Sequence, residues 1–204
     1  MSRPLRILFF TPSGGRTGSE MALWNVLRRF DRTRFAAAVY CERPGSLFAD
    51  IPADVPRFTS PFVGSLPKRL WAKTRNSLGV SVYERHLESL HRTFRPDCWY
   101  LNTLQLAHLV HPARRLGVPV AGHVHEISHL LYDDVKARDL EVLVESARLL
   151  IGTAEAVCDE LRTMGAPRVE RLYPSVDLSA LNPDSRRAAE LRRQLGVGPT
   201  DFMW

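Results

Sequence analysis

The densest reactive chemistry in this chain lies at His123-Val124-His125-Glu126-Ile127-Ser128-His129. Read literally, His125-Glu126-Ile127-Ser128-His129 matches H-E-x-x-H. In that motif two imidazoles one helical turn apart hold zinc and the glutamate between them acts as general base. Glu141 or Glu145 would offer a third ligand. The chemistry needs a helix, and the local sequence resists one. The segment emerges from Val118-Pro119-Val120-Ala121-Gly122, and His123 alternates with His125 as strand residues do. A pair of loop histidines therefore stands beside the zinc hydrolase reading, and no metal site is assigned.

A second candidate is the loop Thr11-Pro12-Ser13-Gly14-Gly15-Arg16-Thr17-Gly18. Glycines feeding a helix N-terminus present backbone N–H groups and the positive end of the helix dipole, which suits a phosphate. Ser13 to Gly18 overlays G-x-G-x-x-G with Ser in the first place, and Glu42 stands where an acidic residue would hold a ribose hydroxyl. Against a nicotinamide or flavin, the loop runs long after Phe10 and contains Pro12. A tight strand-to-helix turn with no ligand is the plain alternative.

The elements that must position these residues follow from hydrophobic spacing. Leu5 to Phe10 is a nearly continuous apolar run, the pattern of a strand buried on both faces. A helix follows from about Ser19, with Met21, Leu23, Trp24, Leu27 and Phe30 at three- and four-residue steps. Further strands are expected at Arg34–Cys41, Val55–Thr59, Cys98–Leu101, Val118–Val124, Arg148–Gly152 and Val169–Tyr173. Between them fall two helical pieces in Leu66–Arg95 broken near Gly79, then helices at Leu104–Leu116, with Gly117 as the stop, and Leu130–Ala147. Thr153 is expected to cap a helix over Ala154–Met164. Such alternation predicts an α/β fold: a Rossmann-like, doubly wound, mostly parallel sheet with helices on both faces. Its ligand groups should gather at the C-terminal strand ends. Residues 1–182 form the expected domain. A charged helix at Ser185–Leu195 and the terminal Asp201–Trp204 read as a connector and the start of a truncated second domain.

Composition narrows the classes. The 204 residues are 45% hydrophobic, enough for a sizeable core. No apolar run approaches a membrane span, and no signal-peptide cleavage site is visible. Cys41, Cys98 and Cys158 are scattered and odd in number, as in a cytoplasmic protein with reduced thiols. The net charge of +6 favours anionic partners, although a solvated basic surface also accounts for it. Lys68, Arg69, Lys73 and Arg75 around Leu70 and Trp71 suit an anionic membrane surface through 66–92, or equally a solvated helix packed on the sheet. No aromatic-basic platform points to nucleic acid.

Several landmarks, in order, carry a resemblance. Arg6-Ile7-Leu8-Phe9-Phe10-Thr11-Pro12 with Thr17-Gly18-Ser19-Glu20 resembles the opening of family 4 glycosyltransferases, a strand and loop followed by Gly-Gly-(Ala/Ser)-Glu. Arg95-Pro96-Asp97 before a strand ending in Asn102-Thr103 is similar to the next landmark. The same holds for Gly117-Val118-Pro119-Val120 leading to His125-Glu126, and for Gly152-Thr153-Ala154-Glu155-Ala156-Val157. Tyr173-Pro174-Ser175-Val176-Asp177 resembles the Asn-Gly-Val-Asp signature, with Pro174 and Ser175 in place of Asn-Gly. Thr17 likewise replaces the first glycine of the Gly-Gly pair.

The resemblance implies a GT-B architecture, with this chain as the acceptor-binding N-terminal half of a retaining sugar transferase. The donor would be a nucleotide sugar, used as cosubstrate with no cofactor and no catalytic metal, and held largely by a C-terminal domain. The acceptor would be a glycan or a lipid-linked molecule, and the protein would be cytoplasmic, peripheral at the inner face of a membrane. It further implies that Gly14, Gly15 and Gly18 let the loop approach the donor phosphates and that His125 bonds the transferred sugar. Asn102, Glu126 and Thr153 would contact the acceptor. A stand-alone nucleotide-binding or regulatory module remains the alternative from another class.

Overall fold

A strand apolar at successive positions must be covered on both sides, and the first strand is. The computed structural model describes residues 3–63, 74, 81–126, 136–175, 184–198 and 200–202. Strand β1 (Leu5–Ser13) pairs in parallel with β2 (Phe35–Arg43) and β4 (Cys98–Leu101). The remaining strands are β3 (Arg57–Thr59), β5 (Val120–Val124), β6 (Leu149–Gly152) and β7 (Val169–Arg171). They form one sheet in the order β3-β2-β1-β4-β5-β6-β7, every pairing parallel. Chain order reverses between β1 and β4, which is the switch point where open α/β sheets bind ligands.

Alternation along β1 splits the core in two. Phe9 packs with Ala37, Val39 and with Leu23 and Leu27 of helix α1 (Gly18–Arg29). Leu8 and Phe10 face the other way, into a larger cluster with Tyr40, Trp99 and Leu87 of helix α3 (Val82–Phe94). That cluster also takes in Leu143 of helix α5 (Ala137–Ser146) and Leu161 of helix α6 (Glu155–Thr163). Helices thus cover both faces. The short helix α2 (Ser46–Ala49) follows β2.

Several boundaries differ from expectation, and those at β1, the helix after β4 and α6 bear on the site. β1 continues through Thr11, Pro12 and Ser13, with Thr11 opposite Cys41 and Ser13 opposite Arg43. Even-numbered residues of β1 turn their backbone toward β4, as the Asn102 N–H to Phe10 carbonyl bond shows. β4 ends at Leu101, so the donor that Pro12 lacks would have had no partner there. The expected helix after β4 is 3₁₀ from Leu104 to Leu109 and becomes α4 only over Val110–Arg115. Pro112 has no N–H to give the His108 carbonyl, which interrupts an α-ladder at that point. Gly117 ends the segment at φ +66°, as expected. Lastly, Ala154, not Thr153, is the N-cap of α6, and no side chain caps it.

The chain divides into two units, Met1–Pro174 and Ser175–Trp204. The second holds helix α7 (Ser185–Gln194), whose cap Asp184 accepts from the Arg186 and Arg187 N–H groups. Residues 66–73 and 75–80 of the basic region, residues 130–135 of an expected helix and the Val-Asp pair at 176–177 lie outside the described residues. Among the described residues no helix is long and apolar enough to cross a membrane.

Candidate functional site

The turn after β1 is built by close backbone contact. The Gly14 N–H donates to the Arg43 carbonyl, and the Gly14 carbonyl accepts from Leu47. A Cβ on Gly14 would fall 2.6 Å from the Gly45 nitrogen and 2.8 Å from the Phe48 Cβ. Gly14 therefore lets the two loops touch. The Gly15 N–H is turned to the Ser13 hydroxyl at 3.3 Å. Gly18 opens α1, and a Cβ there would meet nothing within 4 Å. Of the three glycines, Gly18 alone sits in the helical first turn, where N–H groups lack an intrahelical acceptor.

Inside that turn lies Glu20, only 6% exposed. One carboxylate oxygen accepts from the Ser13 hydroxyl at 2.7 Å and the other from Ser19 at 3.0 Å. A cavity of about 20 Å³ touches Glu20, Ser13, Thr11, Trp24 and Phe48, room for about one water.

Across the switch point, Asn102 is fully buried, and its Nδ2 donates to the Ser19 carbonyl at 2.9 Å. This ties the end of β4 to the start of α1. Thr103 caps the 3₁₀ segment that follows, accepting from the Gln105 N–H. The Asn102 Oδ1 is buried and finds no partner among the described residues.

The β4–β5 register pairs Leu101 with Gly122, so Asn102 falls beside His123. His123 is 5% exposed, and its Nδ1 lies 2.7 Å from the Tyr100 hydroxyl. The His123 and His125 rings are 4.1 Å apart between centroids. Both Nε2 atoms are buried and find no partner among the described residues. Burial drives the His123 pKa down to about 3, and a charge on His125 would push it further the same way. Burial also lowers His125, opposed by the nearby Glu20 carboxylate.

Glu126 belongs to the other side. Its carboxyl is pushed up by burial and pulled back by the N–H groups of His125, itself and Leu104 and by the Thr103 hydroxyl. The two residues of the His-Glu pair thus meet different neighbours, Glu20 for His125 and Thr103 for Glu126. They follow directly on β5, and His129 of the H-E-x-x-H pattern lies outside the described residues. Among the described residues no group of three or more His, Cys, Asp and Glu side chains could hold a metal ion. Thr153 is half-buried at the end of β6, its N–H donating to the Val124 carbonyl. Glu42 ends β2 on the face away from α1, accepting from the Tyr83 hydroxyl at 2.8 Å with the His108 Nε2 at 3.6 Å.

The geometry brings together Gly18, Asn102 and His125 and sets Glu126 and Thr153 at neighbouring strand ends. Glu20, Tyr100 and His123 join the first group without having been assigned a role. Strand alternation could have found His123, and the register Tyr100 opposite Ala121 could have found Tyr100. Nothing local distinguishes Glu20 from an acid that merely complements the helix dipole.

A doubly wound parallel sheet with polar groups collected at its switch point defines a Rossmann-like α/β domain. Residues 16–180 match the family model Glycosyltransferase Family 4, and the chain belongs to that family. Among solved structures it is similar to HepE of Anabaena in complex with UDP-glucose, at 18% identity and a TM-score of 0.69, covering 94% of this chain and 50% of that one. It is also similar to UGT2 of Phytolacca americana complexed with UDP-2fluoro-glucose and pterostilbene, at 16% identity and a TM-score of 0.56 over 93% of this chain and 57% of that one. A UDP-glucosyltransferase from Polygonum tinctorium capable of glucosylating indoxyl gives 13%, 0.57, 93% and 57%. The chain therefore spans about half the length of the solved structures it matches. No curated protein matches it.

Proposed function

We propose that this chain is the acceptor-binding half of a retaining transferase that moves a sugar from a nucleotide-sugar donor to a glycan or lipid-linked acceptor. The observation that carries the reading is the set of buried polar atoms at the switch point that find no partner among the described residues: Asn102 Oδ1, His123 Nε2 and His125 Nε2. An unpaired buried polar group costs about 1–3 kcal/mol. Hydroxyl groups, which donate and accept together, are the chemistry that satisfies it. The UDP-sugar complexes among the structural neighbours support the same class of ligand.

On this reading His125, neutral because of burial, bonds the transferred sugar, and Gly18 lets the loop pass the donor phosphates. Gly14 and Gly15 shape that loop. Glu126 and Thr153 line the acceptor side, with Asn102 between the two. Uncharged contacts suit a mechanism in which the leaving diphosphate itself takes the acceptor proton, since this half then need only position the reactants. No cofactor is required. The basic stretch 66–92 would carry the protein to an anionic lipid surface, and charge reversal at Lys68, Arg69 and Lys73 should abolish its sedimentation with acidic liposomes.

The decisive experiment is transfer by the complete protein from a UDP-sugar of known anomeric configuration, with the product read by NMR. Retention is expected. An inverted product would overturn the mechanism while leaving the class intact, and absence of any nucleotide-sugar turnover would overturn the class.

A further inference from the structure

Resting on the reading of His125 as the sugar-binding ring, we propose that His123 is a positioning residue for His125, and that the Tyr100 hydroxyl fixes His123 in one tautomer. β5 ends at Val124, so no strand pairing holds the ring of His125 in place. What holds it is the imidazole two residues earlier on the same face, 4.1 Å away. His123 is itself anchored. It sits where β5 runs between β4 and β6, opposite Ile151, with its Nδ1 on the Tyr100 hydroxyl. The Tyr100 ring rests against Phe9 of β1 at 4.9 Å. A line of rings, Phe9–Tyr100–His123–His125, thus crosses three strands and ends at the site.

The tautomer follows from counting partners. If Tyr100 donates to Nδ1, His123 carries its proton on Nε2, and one buried group stays unpaired. If His123 instead donates from Nδ1 to the phenol oxygen, both the phenol proton and the bare Nε2 are stranded. Each stranded group adds a desolvation penalty, so the first arrangement wins. Burial keeps Tyr100 protonated and His123 uncharged, which the arrangement needs. Among the described residues the charged and titratable groups around His125 are Glu20 from α1, Tyr100 from β4, His123 from β5 and Glu126 beside it. Two cationic rings cannot share a 4.1 Å contact, and Glu20 biases any proton toward His125. His123 is thereby the fixed ring and His125 the responsive one.

The test is imidazole ¹⁵N and ¹³C NMR of the 204-residue chain, which needs no donor, acceptor or turnover. The expected wild-type result is His123 wholly in the Nε2–H form and one set of His125 signals. Tyr100→Phe keeps the ring but removes the hydroxyl, and should convert His123 to a tautomer mixture and split or broaden His125. His123→Ala should average the His125 ring signals, and His123→Phe, which restores a packed ring, should return them to a single set. An Nδ1–H form of His123 in the wild type overturns the tautomer assignment without any variant. His125 signals unchanged in folded His123→Ala overturn the positioning role. Because catalysis is not the readout, a failure here is separable from a failure of the transferase reading.

Discussion

The two ends of the sheet solve opposite problems. At the N-terminal end, charges are exposed and matched: Arg3 forks onto Asp97 at 2.5 and 2.7 Å, the Arg6 N–H donates to the same carboxylate, and Arg32 reaches Asp54 at 2.8 Å. At the C-terminal end the uncharged polar groups Asn102, His123 and His125 are buried beside the Glu20 carboxylate and, among the described residues, incompletely matched. Exposed ion pairs contribute little because water competes for them, whereas a buried orphan is costly and persists only where something else satisfies it.

The contrast breaks most sharply on activity. His125→Ala in the complete protein should lower sugar transfer by about 10²–10³-fold, the scale for removing one preorganised hydrogen-bonding group. Arg3→Ala should leave transfer unchanged. Comparable losses at both ends would erase the distinction.

The next effect is pH dependence of stability. His123 has a folded pKa of about 3 against an ordinary value near 6.5, so the unfolded chain binds the extra proton between those limits. Stability should be full above about pH 6.5 and fall as pH drops toward 3, by up to about 1.4 kcal/mol per pH unit from this ring. His125, lowered in the same direction, adds to the fall. Denaturant titrations of wild type and His123→Phe across that range would read the difference, and the variant should show the shallower slope.

Smaller effects sharpen the picture. Gly14→Ala must move the Gly45 backbone or helix α2 and should cost about 1–3 kcal/mol in chemical denaturation. Asn102→Ala removes the bond to the Ser19 carbonyl and should cost about 1–2 kcal/mol, with faster amide exchange in the first turn of α1. Asp97→Asn, at the matched end, should leave the melting temperature unresolved from wild type near pH 7. Its carboxyl is held below the usual range by the Arg3 bond and then the Arg6 N–H, so whatever it contributes is present above its unfolded pKa and fades in acid.

Much of this was legible in the residues. Hydrophobic runs at Leu5–Phe10, Cys98–Leu101 and Leu149–Ile151 marked strands of a parallel sheet because both faces are covered, and the sheet is parallel throughout. The end of β1 was not legible. Pro12 reads as a breaker unless one knows that β4 has already stopped on the side where its donor would point. Thr153 was expected to cap α6 from composition alone, but the chain turns into the helix one residue later, at Ala154. His125 and Glu126 read as one motif because they are adjacent, yet past the end of β5 their side chains meet different neighbours, Glu20 for His125 and Thr103 for Glu126. The tyrosine behind His123 lies 23 residues away in the chain, and only the β4–β5 register brings the two together.

The outer strands carry a separate consequence. β3 and β7 are each three residues long, Arg57-Phe58-Thr59 and Val169-Glu170-Arg171, and each carries a charge. A seven-stranded sheet with long apolar rims would recruit other sheets edge to edge. Brief rims that carry charge offer few ladder positions and disfavour edge-to-edge pairing, so the sheet's growth is discouraged at both sides.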